Sequence, residues 1–474
     1  MPIIRFGTDG WRAIIAEDFT FENIRICAQG TADYVNAVGL APRGFIVGYD
    51  TRFGSKEFAE AVAEVTTANG IPTFLCDRPA PTPVVSHSIV TMSAGAGAII
   101  TASHNPARWN GFKFKPEYGG SASGEIVEEL ERHIANVEET GNARTMNLRE
   151  AERRGLFERF DPEPDYLNHI AQFVDLDSIR NAGLNVVVDS MFGAGAGYFD
   201  KLISGGSTRL VEIHSELNPA FPGMAQPEPI AHNLRALVDA LEDNTADIGL
   251  ATDGDADRLG VVDDDGNFIS TTETFSLLCM HLLEVLGQSG PLVKSITMSA
   301  MIDKLADLHD VEAVETPVGF KYLGPQMMAT NALAAGEESG GYAFRGNIPE
   351  RDGILSGLLM LDMVVRTGEN PADLRTRLFE RIGVHIYDRW DVEFDPSMRD
   401  AITRRVRSSR PFDMAGRPVI GIDDRDGVKF LLEDGYWTLI RFSGTEPLLR
   451  IYAEGPSTAD VAAMLGEARA LTGV

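Results

Sequence analysis

A strand–helix pattern that recurs three times is the feature that most constrains how this 474-residue chain can fold. In the first copy, a short apolar run at 45–49 precedes an amphipathic stretch at 55–70 that ends in glycine. The second copy begins near residue 184 and the third near residue 292, and each copy ends in a polar, glycine-rich loop. Such alternation is typical of α/β folds and predicts three related α/β domains. The alternative is that the copies share only the alternation common to all α/β proteins.

A change of pattern after about residue 383 predicts a fourth, smaller domain of α+β type. Alternating polar and apolar residues at 387–394 indicate a strand, and 458–471 indicates a closing helix. A proline-rich break at 161–165 and an acidic turn at 263–266 separate the earlier units. The predicted domains are domain I at 1–160, domain II at 161–268, domain III at 269–383 and domain IV at 384–474.

Composition and charge restrict the class of protein and its partners. The chain is 44% hydrophobic and 24% charged, which is typical of soluble globular proteins, and no apolar run is long enough to cross a membrane. The net charge of −28 argues against a nucleic-acid partner, because phosphate backbones need clustered Lys and Arg. The chain starts without signal-peptide features, and its three scattered cysteines form no disulfide or zinc pattern. We expect a cytoplasmic protein, monomeric or homodimeric, without a membrane partner.

The segment Thr101-Ala-Ser-His-Asn-Pro106 places a serine directly after a small, apolar run at 95–100. Such a run is typical of a buried strand, and open α/β sheets carry their chemistry beyond the carboxyl ends of strands. Ser103 is therefore a nucleophile, with His104 beside it, or an ordinary turn residue.

The segment Asp253-Gly-Asp-Ala-Asp-Arg258 places carboxylates at alternate positions, where an extended chain points them the same way. Hard oxygen ligands suit Mg²⁺ or Ca²⁺. An EF-hand loop does not fit, because its sixth position is Arg258 instead of glycine and its twelfth is Asp264 instead of glutamate. A plain acidic turn is the remaining alternative. We predict Mg²⁺ bound by Asp253, Asp255 and Asp257, with Arg258 on a phosphate oxygen or on an aspartate.

Two further loops carry groups suited to a phosphorylated sugar. Arg441, Ser443, Gly444 and Thr445 offer a guanidinium, hydroxyls and converging backbone N–H groups for phosphate, although an ordinary turn is the alternative.

Glu337 and Ser339, in Gly336-Glu-Glu-Ser-Gly-Gly341, suit sugar hydroxyls. Lys113 lies shortly after the segment that contains Ser103, and Arg12 lies near the N-terminus; both could add positive charge to a site. Isolated basic residues are usually surface charges, which is the alternative for both.

Together these segments resemble the α-D-phosphohexomutase family, and most closely its phosphoglucomutase/phosphomannomutase branch. The family patterns T-A-S-H-N-P, D-G-D-x-D-R, G-E-x-S-G and R-x-S-G-T-E-P all occur here in that order. The opening Phe6-Gly-Thr-Asp-Gly-Trp-Arg12 also fits. The resemblance implies four domains around a central active-site cleft, the first three being related α/β units, and a hexose phosphate as substrate.

The resemblance also implies a phosphoserine at residue 103, with one of its phosphate oxygens completing the Mg²⁺ site. The phosphoserine passes its phosphoryl group to the free hydroxyl of a hexose monophosphate, and the resulting 1,6-bisphosphate returns its other phosphoryl group to Ser103. Glucose 1,6-bisphosphate is then both intermediate and activator. Arg12 and Lys113 would serve proton transfer and charge stabilisation, His104 is a candidate helper, and Lys294 would contact substrate.

The sequence departs from some relatives in ways that bear on the sugar. Its sugar loop reads G-E-E-S-G-G, whereas dual-specificity members often carry G-E-M-S-G-H and phosphoglucosamine mutases usually carry G-E-Q-S-G-H, so Gly341 replaces a histidine. The segment Thr316-Pro-Val-Gly-Phe-Lys321 resembles the phosphoglucomutase version of the specificity loop and makes Gly319 and Lys321 candidate contacts. The sequence therefore favours glucose phosphates over mannose phosphates, with glucosamine phosphate as the alternative.

Two other functions use the same residues. A Mg²⁺-dependent sugar-phosphate phosphatase would pass the phosphoryl group to water. A sugar-phosphate sensor would bind without turnover, but the retention of Ser103, the three aspartates and Arg258 argues against a sensor.

Overall fold

The structure is a computed structural model that describes residues 4–7, 9–443 and 448–474. Its strands form four sheets, one for each of the four units that the sequence suggested. The α/β architecture with a fourth, α+β unit is confirmed, while the exact domain boundaries stay a prediction.

The first sheet combines a parallel centre with an antiparallel edge. Its strands are β1 (Trp11–Ile14), β2 (Phe45–Tyr49), β3 (Thr73–Cys76), β4 (Ala96–Ile100), β5 (Trp109–Pro116) and β6 (Phe157–Phe160), in the order β1-β5-β4-β2-β3-β6. Its helices are α1 (Phe21–Ala37), α2 (Ser55–Ala68), α3 (Thr82–Thr91), α4 (Gly124–Thr140) and α5 (Leu148–Arg153).

The second sheet repeats this arrangement with one strand fewer. Its strands are β7 (Asn185–Asp189), β8 (Arg209–Ile213), β9 (Ile248–Thr252), β10 (Leu259–Val262) and β11 (Phe268–Ile269), in the order β11-β10-β9-β7-β8. Its helices are α6 (Glu163–Ile170), α7 (Leu176–Asn181), α8 (Tyr198–Ile203) and α9 (Arg235–Asn244). Because α6 begins at Glu163, the proline-rich break at 161–165 is the start of a helix and not a free linker.

The third sheet is the smallest. Its strands are β12 (Leu292–Ser295), β13 (Ala313–Thr316), β14 (Ala334–Gly336) and β15 (Tyr342–Phe344), in the order β13-β12-β14-β15. Its helices are α10 (Thr271–Met280), which continues as a π-helical turn at His281–Val285, then α11 (Met301–Leu308), α12 (Phe320–Thr330), α13 (Gly353–Thr367) and α14 (Pro371–Ile382).

The three sheets share one topology. In each, three parallel strands lie in the same order, β3-β2-β4, β8-β7-β9 and β13-β12-β14. The last of them is followed by an antiparallel strand, β5, β10 or β15. The segments at 101–106, 253–258 and 336–341 lie at the three corresponding connections, and we call them the serine loop, the metal loop and the sugar loop. The repeat therefore places the three loops at equivalent positions of three sheets.

The C-terminal unit is an antiparallel sheet with helices. Its strands are β16 (Ile386–Glu393), β17 (Asp413–Met414), β18 (Arg417–Asp423), β19 (Val428–Leu432), β20 (Trp437–Phe442) and β21 (Leu448–Gly455), in the order β16-β21-β20-β19-β18-β17. Its helices are α15 (Arg399–Ser408) and α16 (Thr458–Thr472). It has its own hydrophobic core, which includes Phe430, Leu449 and Met464.

Small residues in β4 have a packing reason. All five residues of β4 are buried. A Cβ on Gly97 would lie 2.6 Å from Cδ1 of Ile89 in α3 and 2.9 Å from the carbonyl oxygen of Ile46 in β2. Close packing of helix on sheet thus requires glycine here and fixes the strand that leads into the serine loop.

Among the described residues, no helix combines the length and the apolar character needed to cross a bilayer.

Candidate active site

Ser103 lies just beyond β4, fully buried and in a left-handed backbone conformation with φ of 51°. Non-glycine residues rarely adopt this conformation, and it concentrates at functional sites. The Oγ atom of Ser103 donates to Oδ2 of Asp253 at 2.7 Å and lies 3.3 Å from Nδ1 of His104. The backbone N–H of Ser103 donates to Oγ1 of Thr101 at 2.8 Å. The serine loop and the metal loop are therefore in direct contact.

The conformation of the serine loop is held by Arg52, which follows the end of β2. Its guanidinium donates to the carbonyl oxygens of Ser103 at 2.5 Å, Asn105 at 2.6 Å and Trp109 at 3.1 Å. Asp50 balances its charge at 3.2 Å, and both side chains are buried. The donors of an arginine are spread over a planar fork that reaches separate carbonyl groups along the loop, whereas a lysine has all its donors on one nitrogen.

The metal loop connects β9 to β10 and brings three buried carboxylates together. One oxygen from each of Asp253, Asp255 and Asp257 lies within 4.8 Å of the others. Among the described residues, Oδ1 of Asp255 and Oδ1 of Asp257 are buried and accept no hydrogen bond. Buried, unsatisfied carboxylate oxygens are costly unless a cation binds them. The predicted metal ligands thus fit a hard divalent cation.

The electrostatics of Asp253 support the same conclusion. Its pKa is raised well above the usual range, first by burial and then by repulsion from Asp257 and Asp255. Its Oδ1 atom accepts the backbone N–H groups of Asp257 at 3.0 Å and Arg258 at 3.2 Å. A cation among the three carboxylates would relieve this repulsion.

Lys113, in β5, contacts the opposite oxygens of the carboxylate cluster. Its Nζ donates to Oδ2 of Asp255 at 2.8 Å and to Oδ2 of Asp257 at 3.1 Å, and lies 2.9 Å from Oδ2 of Asp9. Oδ2 of Asp255 also accepts from Thr82 at 2.6 Å. Burial disfavours the ammonium, but the surrounding carboxylates outweigh burial and raise the pKa of Lys113. Lys113 is a buried, permanent cation and not a surface charge.

Two arginines and a histidine lie close to the contact between the serine and metal loops. Arg258 lies 3.0 Å from Glu228 and 3.9 Å from Asp253. Arg12, in β1, donates to Oδ1 of Asn105 at 2.7 Å. Burial, together with Arg258 and Arg12, lowers the pKa of His104 well below the usual histidine value, so its imidazole is neutral.

The sugar loop connects β14 to β15. Glu337 is buried, and burial raises its pKa although Arg351 and Arg258 oppose this. The nearby backbone N–H of Gly319 also opposes the rise of this pKa, so the specificity loop lies beside the sugar loop. Ser339 is half-buried in the same loop.

The phosphate loop connects β20 to β21. Arg441 donates from Nε to Oδ1 of Asp426 at 2.8 Å, and Oδ2 of Asp426 accepts the backbone N–H of Val318 at 3.0 Å. The backbone N–H of Ser443 donates to the carbonyl oxygen of Leu448 at 2.8 Å. The predicted phosphate ligands Gly444 and Thr445 lie outside the described residues.

Two predicted substrate contacts have partners outside the serine and metal loops. Lys294 contacts Asp303 and lies 3.6 Å from Glu315. Lys321 is half-buried at the start of α12, with Nζ 5.3 Å from the ring centre of Tyr322. Their roles stay predictions.

Sequence reasoning missed several charged residues of this cluster. Asp9 lies within the N-terminal segment Phe6–Arg12, and Arg52 lies three residues after the predicted strand at 45–49. Arg351 contacts Asp9, lies 2.9 Å from Asp257 and 4.0 Å from Glu337, and so touches three loops. Its only local signal is a charged triplet at 350–352 before the buried helix α13.

Family models match the chain in sequence order. They are described as phosphoglucomutase/phosphomannomutase alpha/beta/alpha domain I at 4–141, domain II at 164–266, domain III at 271–382 and the C-terminal domain at 402–471.

Individual relatives match over nearly the whole length. A phosphoglucomutase/phosphomannomutase from Thermococcus kodakarensis is 30% identical over 95% of this chain and 94% of its own. A protein of the same organism named as a phosphoglucosamine mutase is 29% identical over 98% of this chain and 97% of its own. A crystal structure of a Thermus thermophilus protein described as a phosphomannomutase is 32% identical, with a TM-score of 0.86 and complete coverage of both chains. The chain belongs to the phosphoglucomutase/phosphomannomutase family of phosphohexomutases.

Proposed function

We propose that this phosphohexomutase interconverts glucose 1-phosphate and glucose 6-phosphate through a phosphoserine at residue 103, with mannose phosphates as further substrates. The observation that carries the proposal is the contact of Ser103 Oγ with Asp253, at 2.7 Å, inside a buried cluster of three carboxylates. A strained serine at this contact is suited to carry a phosphoryl group from one sugar oxygen to another.

A phosphoryl group on Ser103 adds about two negative charges. Asp253, Asp255 and Asp257 would hold Mg²⁺ together with an oxygen of that phosphate. When bound, the ion offsets charge on the transferring phosphoryl group. The buried Lys113, which the carboxylates keep charged, adds positive charge at the same place.

In the first half-reaction, the bond from phosphorus to Ser103 Oγ breaks and a bond to the free hydroxyl oxygen of the hexose monophosphate forms. The hydroxyl proton is transferred, in net, to Oγ. The neutral imidazole of His104, 3.3 Å from Oγ, is placed to carry this proton. The product is a hexose 1,6-bisphosphate.

In the second half-reaction, the bisphosphate returns its other phosphoryl group to Ser103. The same groups serve both directions if the sugar turns over between the half-reactions. Glu337 and Ser339 would bind ring hydroxyls, while Arg441, Ser443, Gly444 and Thr445 would bind the phosphate that is not transferred. Lys294, Gly319 and Lys321 remain further candidate contacts, and Arg12 is placed to stabilise the serine loop through Asn105.

The choice of glucose rests on the specificity loop and on the Gly341 departure in the sugar loop. Glucosamine phosphate is the second candidate, because a relative 29% identical over 98% of this chain is named as a phosphoglucosamine mutase. Paired rates on glucose 1-phosphate, mannose 1-phosphate and glucosamine 1-phosphate, with trace glucose 1,6-bisphosphate, separate these sugars. We expect the highest kcat/KM with glucose 1-phosphate; a higher value with glucosamine 1-phosphate would reassign the substrate.

Ser103→Ala is expected to lower mutase turnover by several orders of magnitude, because no other group in the loop replaces the nucleophile. Ser86→Ala is the matched control: Ser86 is also a buried serine of the first unit, and among the described residues its Oγ has no hydrogen-bond partner. Turnover of Ser103→Ala within a few-fold of the control contradicts the phosphoserine mechanism. Release of inorganic phosphate at the turnover rate would instead indicate a phosphatase.

A further inference from the structure

The side chain of Arg351 lies across Gly341, the last residue of the sugar loop. A Cβ atom at residue 341 would lie 2.3 Å from Cδ of Arg351 and 2.6 Å from its Cγ. Such distances are far inside van der Waals contact, so any side chain at residue 341 would displace the arginine. The side chain of Arg351 therefore fills the space that a side chain at residue 341 would occupy if that residue were not glycine.

The three nitrogens of this guanidinium have different surroundings. Nε donates to Oε1 of Glu350 at 3.1 Å, and Nη2 contacts Asp9 and, at 2.9 Å, Asp257. Within the described ranges, Nη1 donates no hydrogen bond, and Oε2 of Glu337 lies 4.0 Å from it, beyond hydrogen-bond distance. Nη1 therefore has donor capacity that these carboxylates leave unused.

A separation of 4.0 Å between a donor and an acceptor suits an intervening hydroxyl. A hydroxyl oxygen can accept from Nη1 and donate to Glu337, at roughly 2.8 Å from each. Both residues are largely buried, at 4% and 6% exposure, so their orientation is set by packing. The ring of Phe320 lies 5.3 Å from the Arg351 guanidinium carbon, so the start of α12 packs beside this arginine.

Building on the proposed mutase function, we propose that Arg351 and Glu337 together bind one ring hydroxyl of the hexose phosphate, which makes Arg351 a specificity-determining residue. Gly341 is required for this site because it leaves room for the arginine. A histidine at residue 341 and an arginine at residue 351 would then be alternative side chains that contact the same side of the sugar.

The test compares Arg351→Met with wild type on glucose 1-phosphate and on its 2-deoxy, 3-deoxy and 4-deoxy analogues. With glucose 1-phosphate, we expect kcat/KM of the variant to fall by about tenfold to a hundredfold, as for loss of a charged hydrogen bond. With the analogue that lacks the bound hydroxyl, the loss should be smaller by about that factor, because only the effect of the lost contacts to Asp9, Asp257 and Glu350 remains. A purely structural role predicts the same loss on all four substrates, and that result overturns the proposal.

Gly341→Ala gives an independent arm that leaves every charge in place. Its Cβ displaces the arginine stem, so we expect the same substrate-dependent loss, weakest on the same deoxy analogue. Gly466→Ala is the control, because a Cβ there would meet no heavy atom of the described residues within 4 Å. Arg351→Lys keeps the charge without the fork and should fall between wild type and Arg351→Met; it also replaces Arg351→Met if that variant does not fold.

Wild-type turnover on glucose 1-phosphate separates the two claims. If the wild-type protein does not turn over glucose 1-phosphate, the proposed function is wrong. If the wild type is active but Arg351→Met loses the same factor of kcat/KM on all four substrates, only the proposed hydroxyl site is wrong.

Discussion

Ser103 keeps its left-handed backbone because the guanidinium of Arg52 binds carbonyl oxygens of the serine loop and of the residues that follow it. Arg52 donates to four of them, and Gly254 allows close approach, since a Cβ there would lie 2.5 Å from the carbonyl oxygen of Ser103. The strain at Ser103 is thus offset by a buried guanidinium and by a glycine of the metal loop. The serine side chain is presented to Asp253 by contacts that a substrate need not supply.

Arg52→Lys should retain the buried charge opposite Asp50 and lose the fork onto the serine loop. We expect kcat to fall by roughly tenfold or more, because misplacement of a reacting group by about 1 Å has effects of this size. Arg52→Met leaves Asp50 uncompensated and should destabilise the fold by about 3–5 kcal/mol, measured by denaturant unfolding.

Arg78→Lys is the matched control for Arg52→Lys, since Arg78 is an exposed arginine of the same unit paired with Asp77. If Arg52→Lys has the same kcat as this control, the serine loop does not depend on the forked hydrogen bonds of the Arg52 guanidinium.

At the level of elements, the serine, metal and sugar loops each join the last parallel strand of a unit to an antiparallel strand. These strands were predictable because their signals are local: small apolar runs precede both Ser103 and Asp253. The contacts of Arg351 were not predictable in this way, since they join it to Asp9 and to Asp257, which lie far away in the sequence. Their pairing depends on how three sheets pack, and no periodicity in one segment records that packing.

The connection after β7 packs against the metal loop. Met191 and Phe192 both have positive φ, of 46° and 56°. A Cβ on the following Gly193 would lie 2.8 Å from the carbonyl oxygen of Asp253. His214 holds this turn through Nδ1, 2.9 Å from Oδ1 of Asp189. The metal loop therefore depends on a strained turn that a histidine–aspartate pair stabilises.

This pair gives a pH dependence of stability. The hydrogen bond to Asp189 raises the pKa of His214, burial opposes this, and the charges of Asp189 and Glu216 add to the rise. A raised folded pKa stabilises the protein fully below the ordinary histidine value of about 6.5, and this contribution is lost as pH rises through the folded pKa. The Tm difference between wild type and His214→Asn should therefore be larger at acidic than at alkaline pH. His232→Asn, at an exposed histidine, is the control; a pH-independent difference contradicts the assignment.

At the scale of the whole molecule, the C-terminal unit is tied to the third unit by buried polar contacts. Lys429 donates to the carbonyl oxygen of Ile296 at 2.8 Å, and Glu454 accepts the backbone N–H of Ala300 at 3.1 Å. Asp426 completes the connection by accepting from Val318 and from Arg441. One carboxylate thus couples the specificity loop to the arginine of the phosphate loop.

Asp426→Asn should weaken that coupling, because an amide has one acceptor oxygen where the carboxylate uses two. We expect KM for the hexose phosphate to rise by about tenfold with a smaller change in kcat, as for loss of a charge-assisted hydrogen bond outside the reacting atoms. Asp424→Asn, at an exposed neighbouring aspartate, is the control. An unchanged KM would show that Arg441 does not act through Asp426.

In the proposed reaction, Ser103 carries the phosphoryl group between the two sugar positions. The most direct measurement labels the protein with glucose 1,6-bisphosphate bearing radioactive phosphate, in the presence of Mg²⁺, and then adds unlabelled glucose 1-phosphate. We expect about one label per chain on Ser103, as for a covalent intermediate, and transfer of the label to hexose phosphate at least as fast as turnover. No label on Ser103, or release of the label as inorganic phosphate instead of sugar phosphate, would contradict it.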